Sequence, residues 1–124
     1  MLVLKASRLP GARFGVFATR DIAASTVLWR YDPAVDQEWT AAQLARKSAD
    51  QRSSIEEYAF LYRGTWIMCC GLLRFANHSR TPNLVTDQLA RRTIAARDIA
   101  SGEELTEDYR VLCEDIAANP PPWV

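Results

Sequence analysis

Arg74-Phe75-Ala76-Asn77-His78-Ser79-Arg80-Thr81-Pro82-Asn83 and, further along, Gly102-Glu103-Glu104-Leu105-Thr106-Glu107-Asp108-Tyr109 are the two stretches on which the reading of this chain turns. The first holds the only histidine, His78, and the second ends in a tyrosine. Each alone reads as ordinary structure. Asn77 suits a turn, His78 a buried imidazole with satisfied hydrogen bonds, and Tyr109 a half-buried strand position. Their order and spacing turn two common patterns into a signature.

A length of 124 residues suits one compact domain, 1–124, with a single core. The 48% hydrophobic content is that of a folded chain. Fifteen basic residues balance fifteen acidic ones, and no Lys/Arg run marks a nucleic-acid or membrane footprint, so neither partner is expected. Cys69, Cys70 and Cys113 make an odd, sparse set. A disulfide framework is normally even and denser, and an adjacent pair lacks zinc-finger spacing, so three reduced thiols and no metal site are expected. The start is too short for a signal-peptide core, and no apolar run approaches membrane length. The expected location is intracellular: cytoplasmic for a bacterial protein, with the nucleus open for a eukaryotic one.

Strand character appears at residues 2–7, 14–18 and 26–31, where Asp32-Pro33 ends the run. Thr40 followed by Gln43 is a capping-box pattern, and Ser54 followed by Glu57 repeats it. Two short helices are therefore expected between about residues 40 and 63. The second carries Ile55, Tyr58, Ala59 and Tyr62 on one face and stops at Gly64. Residues 65–69 return to strand, and 84–86 with 91–95 suggest a hairpin turning near Asp87-Gln88. The proline-rich end, 119–124, is expected to be extended. One internal echo recurs: Ala18-Thr19-Arg20-Asp21-Ile22 is matched by Ala95-Ala96-Arg97-Asp98-Ile99. Two copies do not make a solenoid; they fit a pair of strand-turn-strand units packed around one core.

The paired segments resemble those of the SET-domain family of protein-lysine methyltransferases, in the form of a minimal, stand-alone domain. The likeness runs from residue 8 to about 109, leaving a short tail, 111–124, and the echoed element supports it independently. The resemblance implies a mainly β fold with short helices, built of several small sheets with a C-terminal pseudoknot-like threading. It implies S-adenosylmethionine as cofactor, held by Arg13, Phe14 and Gly15 of the first turn together with Asn77 and His78. Asn77 would meet the methionine amine by its side chain, and His78 the adenine largely by its backbone. Tyr109 matches the catalytic tyrosine. Tyr31 resembles a second tyrosine of the lysine channel, and Trp123 is a candidate wall beside Trp29, Tyr62 and Trp66. Four departures stand out. Arg13 replaces a frequent glycine, Arg80 a frequent cysteine, Asp32-Pro33 the usual Gly-Glu, and Glu107 an aromatic. With that cysteine gone and no cysteine-rich stretch after Tyr109, a zinc-bearing module is not expected.

The implied reaction is direct displacement: a neutral lysine amine of a protein or peptide substrate attacks a methyl carbon on sulfur. At a reference pKa near 10.4, about one lysine in a thousand is neutral near pH 7.4, a penalty of roughly 4 kcal/mol. An apolar channel and a nearby sulfonium both disfavour the ammonium, while aromatic walls attract the methylated cation. The tail, or a second subunit in a homodimer, would close the channel unless the tail is disordered. Two other readings remain: a SET-like module that binds a peptide or partner without catalysis, and a β-rich structural domain whose motifs match by chance.

Overall fold

The computed structural model describes residues 1–124. In chain order its strands are β1 (Leu2–Ala6), β2 (Phe14–Ala18), β3 (Val27–Arg30), β4 (Gln37–Thr40), β5 (Phe60–Tyr62) and β6 (Thr65–Met68), then β7 (Asn77–His78), β8 (Leu84–Asp87), β9 (Arg92–Ala95) and β10 (Glu104–Glu107). The helices are α1 (Ala41–Ala45), α2 (Ala49–Tyr58), α3 (Tyr109–Leu112) and α4 (Glu114–Ala118), with a 3₁₀ turn at Leu72–Phe75. These short strands do not join in one broad sheet. They form three small ones, ordered β1-β2-β10-β7, β3-β9-β8 and β4-β6-β5.

The Arg-Asp-Ile echo proves to be a local two-fold. With an offset of 77 positions, Ile22 matches Ile99, and their backbones exchange both hydrogen bonds at 2.8 Å. Asp21 Oδ1 accepts from the Ser101 N–H (2.9 Å), and its counterpart Asp98 Oδ1 accepts from the Ala24 N–H (2.8 Å). The Ser25 N–H bonds Ala95 O, and the matched Gly102 N–H bonds Ala18 O, each at 2.8 Å. Ser25 and Gly102 also share a left-handed backbone, at φ 68° and 89°. The main core lies on this axis: Val16, Ala18, Ile22, Leu84, Ala95, Ile99 and Leu105 are buried together. Asp98→Ala strips the Ala24 amide of its acceptor. It should cost about 1 kcal/mol in urea denaturation, with Asp21→Ala costing a similar amount.

The middle of the chain departs from the expected helices. The first capping box is Thr40 with Gln43, but the second is Ser48 with Gln51, so α2 begins earlier and Ser54 lies inside it. Gly64 does not end a helix. With Arg63 it supplies two successive left-handed residues (φ 48° and 76°), the geometry of a tight hairpin turn, between β5 and β6. Tyr62 is thus a strand residue paired with Thr65. β4, unanticipated, pairs with β6 along its whole length. The β8–β9 hairpin forms as expected, with Asp87 opposite Arg92. Residues 119–124 contain no helix and close in a turn, the Val124 N–H bonding Pro121 O (3.2 Å). No helix is long and apolar enough to cross a membrane.

One connection decides the site. β10 runs antiparallel to β2 and parallel to β7, with Thr106 opposite Asn77 and Glu107 opposite His78. This threads the end of the chain beside the Asn77-His78-Ser79 loop, so two segments distant in sequence share one surface.

Candidate active site

The β2–β10–β7 arrangement sets Gly15, Asn77 and Glu104 against one another. The Glu104 carboxylate accepts the Ser7 hydroxyl (2.8 and 2.9 Å), the Arg8 N–H (3.0 Å) and Asn77 Nδ2 (3.1 Å). Asn77 Nδ2 also donates to Phe14 O (2.6 Å). The amide nitrogen is thereby committed to the protein, and Oδ1 remains as an acceptor, the chemistry an ammonium needs. Gly15 is required here, because a Cβ on it would lie 2.5 Å from Glu104 Oε2 and 3.3 Å from Asn77 Nδ2. Beside it the Phe14 ring is 55% exposed, and the Arg13 guanidinium lies 5.9 Å from that ring. Four of the five expected cofactor-binding residues therefore meet at one place, offering an acceptor, an open aromatic face and a cation.

His78, the fifth, turns its side chain towards Tyr109. The Tyr109 N–H donates to His78 Nδ1 (3.1 Å), which places the imidazole proton on Nε2. Nε2 is buried without a partner. Burial lowers the pKa of this imidazole against the opposing charge of Asp108, whose Oδ1 lies 3.8 Å from Nδ1. The second segment thus brings a carboxylate near the histidine of the first, although Arg110 grips it (Nε to Oδ1, 2.9 Å). The Tyr109 hydroxyl donates to Ala76 O at 2.6 Å, and burial first, then the Glu107 charge, pushes its pKa up to about 12. It is a fixed donor at neutral pH and not a base.

Trp123 stands edge-on to both rings, with centroids 6.1 Å from Tyr109 and 6.4 Å from His78. The tail that carries it is tied down by the residue that replaces cysteine: an Arg80 guanidinium nitrogen donates to Val124 O (2.7 Å), and Val124 is buried. The Arg80 side chain thus fixes the segment beyond the domain core.

Beneath Tyr109 lies a cavity of about 80 Å³ whose lining includes Trp29, Phe60, Ala76, Thr86, Glu107 and Tyr109. Tyr31 is not part of this lining. β3 ends at Arg30, and beyond it the Tyr31 ring packs edge-on to Trp29 (6.4 Å) with the Arg91 guanidinium 4.7 Å away. The inner aromatic wall is Trp29, whose Nε1 donates to buried Asp36 (3.1 Å). Tyr62 and Trp66 belong to the β4-β6-β5 sheet and do not line this cavity. Sequence reasoning did not place the Ala76 carbonyl or Thr86 in the site, and it noted Glu107 only as a departure from an aromatic, with no role assigned. Cys69 and Cys113 are buried thiols raised by burial to about 11 and 12, while Cys70 is exposed; all three are free. No group of three or more His, Cys, Asp or Glu side chains is placed to hold a metal ion.

A family model described as SET domain matches residues 13–110. The chain is 35% identical over 107 residues to the histone-lysine N-methyltransferase, H3 lysine-36 specific, of Yarrowia lipolytica, covering 79% of this chain and 14% of that one. It is 31% identical over 107 residues to the protein of the same name from Saccharomyces cerevisiae, covering 79% and 15%. The chain thus spans about a seventh of these relatives. Among solved structures, the Chaetomium thermophilum polycomb repressive complex 2 superposes with a TM-score of 0.67 at 24% identity, over 88% of this chain and 15% of that one. The same complex, autoinhibited and bound to S-adenosylmethionine, gives 0.66 at 22% identity, over 97% and 17%. At such identities the likeness is one of fold.

Proposed function

The chain belongs to the SET-domain family, and from that premise we propose that it transfers a methyl group from S-adenosylmethionine to a lysine side chain of a protein. The observation that carries this reading is the Tyr109 hydroxyl. It is held at 2.6 Å by Ala76 O on the edge of an aromatic-walled cavity, one strand pairing away from the Gly15–Asn77 cluster. The residues present suit the cofactor: Asn77 Oδ1 for its ammonium, Arg13 for its carboxylate, and the exposed Phe14 ring for a flat group. When bound there, the cofactor supplies a methyl group made electrophilic by a positively charged sulfur. The chain's own part is positioning. Tyr109, with its proton retained, orients the reacting groups, Trp29 and Phe60 exclude water, and Trp123 closes over His78 and Tyr109. An intracellular location, nuclear in a eukaryote, accords with a histone substrate.

Histone H3 is the first substrate to try, given the activity that the names of the curated relatives state. Labelled S-adenosylmethionine is incubated with the protein and histone H3, and in parallel with a cell lysate. Label on lysine that disappears with Tyr109→Phe supports the reading. Cofactor binding without transfer to H3 or to any lysate protein would reject lysine transfer and leave a peptide-binding module. Asn77→Ala removes both the free acceptor and the ties to Phe14 and Glu104. Calorimetry should show cofactor affinity falling about tenfold or more, equivalent to roughly 1.4 kcal/mol.

A further inference from the structure

Lysine methyl transfer leaves one chemical task without an owner: removal of the proton from the lysine ammonium. Tyr109 keeps its own proton and spends it on Ala76 O. The buried thiols of Cys69 and Cys113 stay protonated at neutral pH. His78 offers Nδ1 to the Tyr109 amide, and its Nε2 is buried without a partner. Glu107 remains. It is 7% exposed, lies on the cavity beneath Tyr109, and occupies the position where many relatives have an aromatic.

Its geometry is not that of a carboxylate buried for structure alone. Oε1 accepts the Thr86 hydroxyl at 2.6 Å, and Thr86 shares a 2.7 Å hydrogen bond with Thr93. A buried structural carboxylate normally has both oxygens satisfied. Here Oε2 has no hydrogen-bond partner in the protein, yet it keeps accessible surface on a residue that lines the cavity.

We propose that Glu107 is a catalytic residue: the oxygen not bonded to Thr86 accepts the proton that the substrate lysine must lose before it is methylated. The assignment rests on the lysine-transfer reading. In the step, one ammonium proton moves to Glu107 Oε2 and frees the nitrogen lone pair. That pair forms the N–C bond as the C–S bond breaks, and the C–S electron pair stays on sulfur as a neutral thioether. The methylated nitrogen leaves as an ammonium, and Glu107 returns its proton to solvent.

The surroundings favour such a proton acceptor. Burial raises the Glu107 carboxyl to about 7, against the lowering effect of the Thr86 hydrogen bond, and the Asp108 charge adds to the rise. The other ionisable groups around it come from four directions. Asp108 and Tyr109 follow it in sequence, Asp108 being held low by Arg110, His78 of β7 pairs opposite it, and Cys113 lies just beyond α3. Glu56 and Glu57 of α2 stand across the cavity, with Arg74 of the 3₁₀ turn. A carboxyl poised near the working pH is matched to proton transfer.

The test is Glu107→Gln, which keeps size and the Thr86 hydrogen bond. Methyl transfer to histone H3 is measured at saturating cofactor from about pH 6 to 10. The variant should be slower by about a hundredfold near neutrality. The deficit should narrow as the amine loses its proton unaided at high pH, and cofactor affinity should be unchanged. A variant with wild-type rates, or one slowed equally at every pH, overturns the proposal. Wild-type protein silent on H3 and on lysate defeats the lysine-transfer reading itself, and the proposal falls with it.

Thermal melting gives a readout independent of turnover. The folded carboxyl sits above its ordinary value of 4.5, so its contribution to stability is full below that value and is lost as pH rises through about 7. Glu107→Gln should therefore gain melting temperature over wild type near pH 8, an advantage that disappears near pH 4. A difference independent of pH would show that Glu107 is not the titrating buried group, and would overturn the assignment.

Discussion

Tyr109→Phe is expected to lower methyl transfer to histone H3 about a hundredfold or more while the chain stays folded and keeps its cofactor affinity. The side chain has two separable roles. Its ring packs between His78 and Trp123, with centroids at 5.4 and 6.1 Å, and phenylalanine preserves those contacts. Its hydroxyl donates to Ala76 O, and losing that one bond should cost about 1 kcal/mol of stability. The catalytic loss is expected to be larger because, in the proposed reaction, the hydroxyl marks the edge where amine and methyl carbon align, and misplacement by about 1 Å can cost two orders of magnitude. The loss should appear in kcat, with affinity measured by calorimetry unchanged. Undiminished turnover would remove Tyr109 from the active site. Weakened cofactor binding would assign it to cofactor retention instead.

What the sequence made legible was local chemistry. Asn77, His78 and Tyr109 announce themselves because their side chains recur in a fixed order, and the structure joins them through the parallel pairing of β7 with β10. The Arg-Asp-Ile echo was also readable, although only the folded chain shows the copies bonding each other reciprocally through Asp21 and Asp98. Other features depend on tertiary context. Ser48-Ala49-Asp50-Gln51 and Ser54-Ile55-Glu56-Glu57 both satisfy a capping-box pattern, and no local rule chooses between them. The choice falls to packing: Leu44, Ile55 and Ala59 bury together against Trp39, Trp66 and Met68. Tyr31 was the residue expected to line a channel, with Trp29 only among the further candidates, yet Trp29 lines the cavity and Tyr31 does not. Only the end of β3 at Arg30 separates the wall from the residue beyond it.

Glu107 shows the limit most clearly. The resemblance marks it only as a departure from an aromatic, and no local rule announces its burial, because carboxylates are rarely buried without a partner. It is buried because β10 is flanked by β2 and β7 and its end lies near β8, where Thr86 waits with a hydroxyl. The same threading that brings Tyr109 to His78 thus carries a carboxyl into the cavity. A site of this kind trades stability at neutral pH for a group that titrates there.

Gly15→Ala should weaken cofactor binding about tenfold or more and destabilise the fold by about 1–3 kcal/mol. Gly15 does not owe this to an unusual backbone, since it lies within β2; it owes it to the side chain that passes over it. A Cβ would stand 2.5 Å from Glu104 Oε2 and 2.8 Å from Cδ, too close for either to stay. A free carboxylate would simply swing away, but this one is held by Ser7, the Arg8 amide and Asn77. Moving it breaks those bonds and releases Asn77, whose amide also anchors Phe14 O. The lesion therefore spreads from one methyl group to the acceptor proposed to face the cofactor. Thermal melting and calorimetry separate the two effects. Adding Glu104→Ala removes the clash, so the double variant should be less unstable than the sum of the two single losses. Its cofactor affinity should stay low, because Asn77 remains without its orienting partner. If Gly15→Ala alone bound the cofactor as tightly as wild type, the Gly15–Asn77–Glu104 cluster would be a structural clasp, and the cofactor site would have to lie elsewhere.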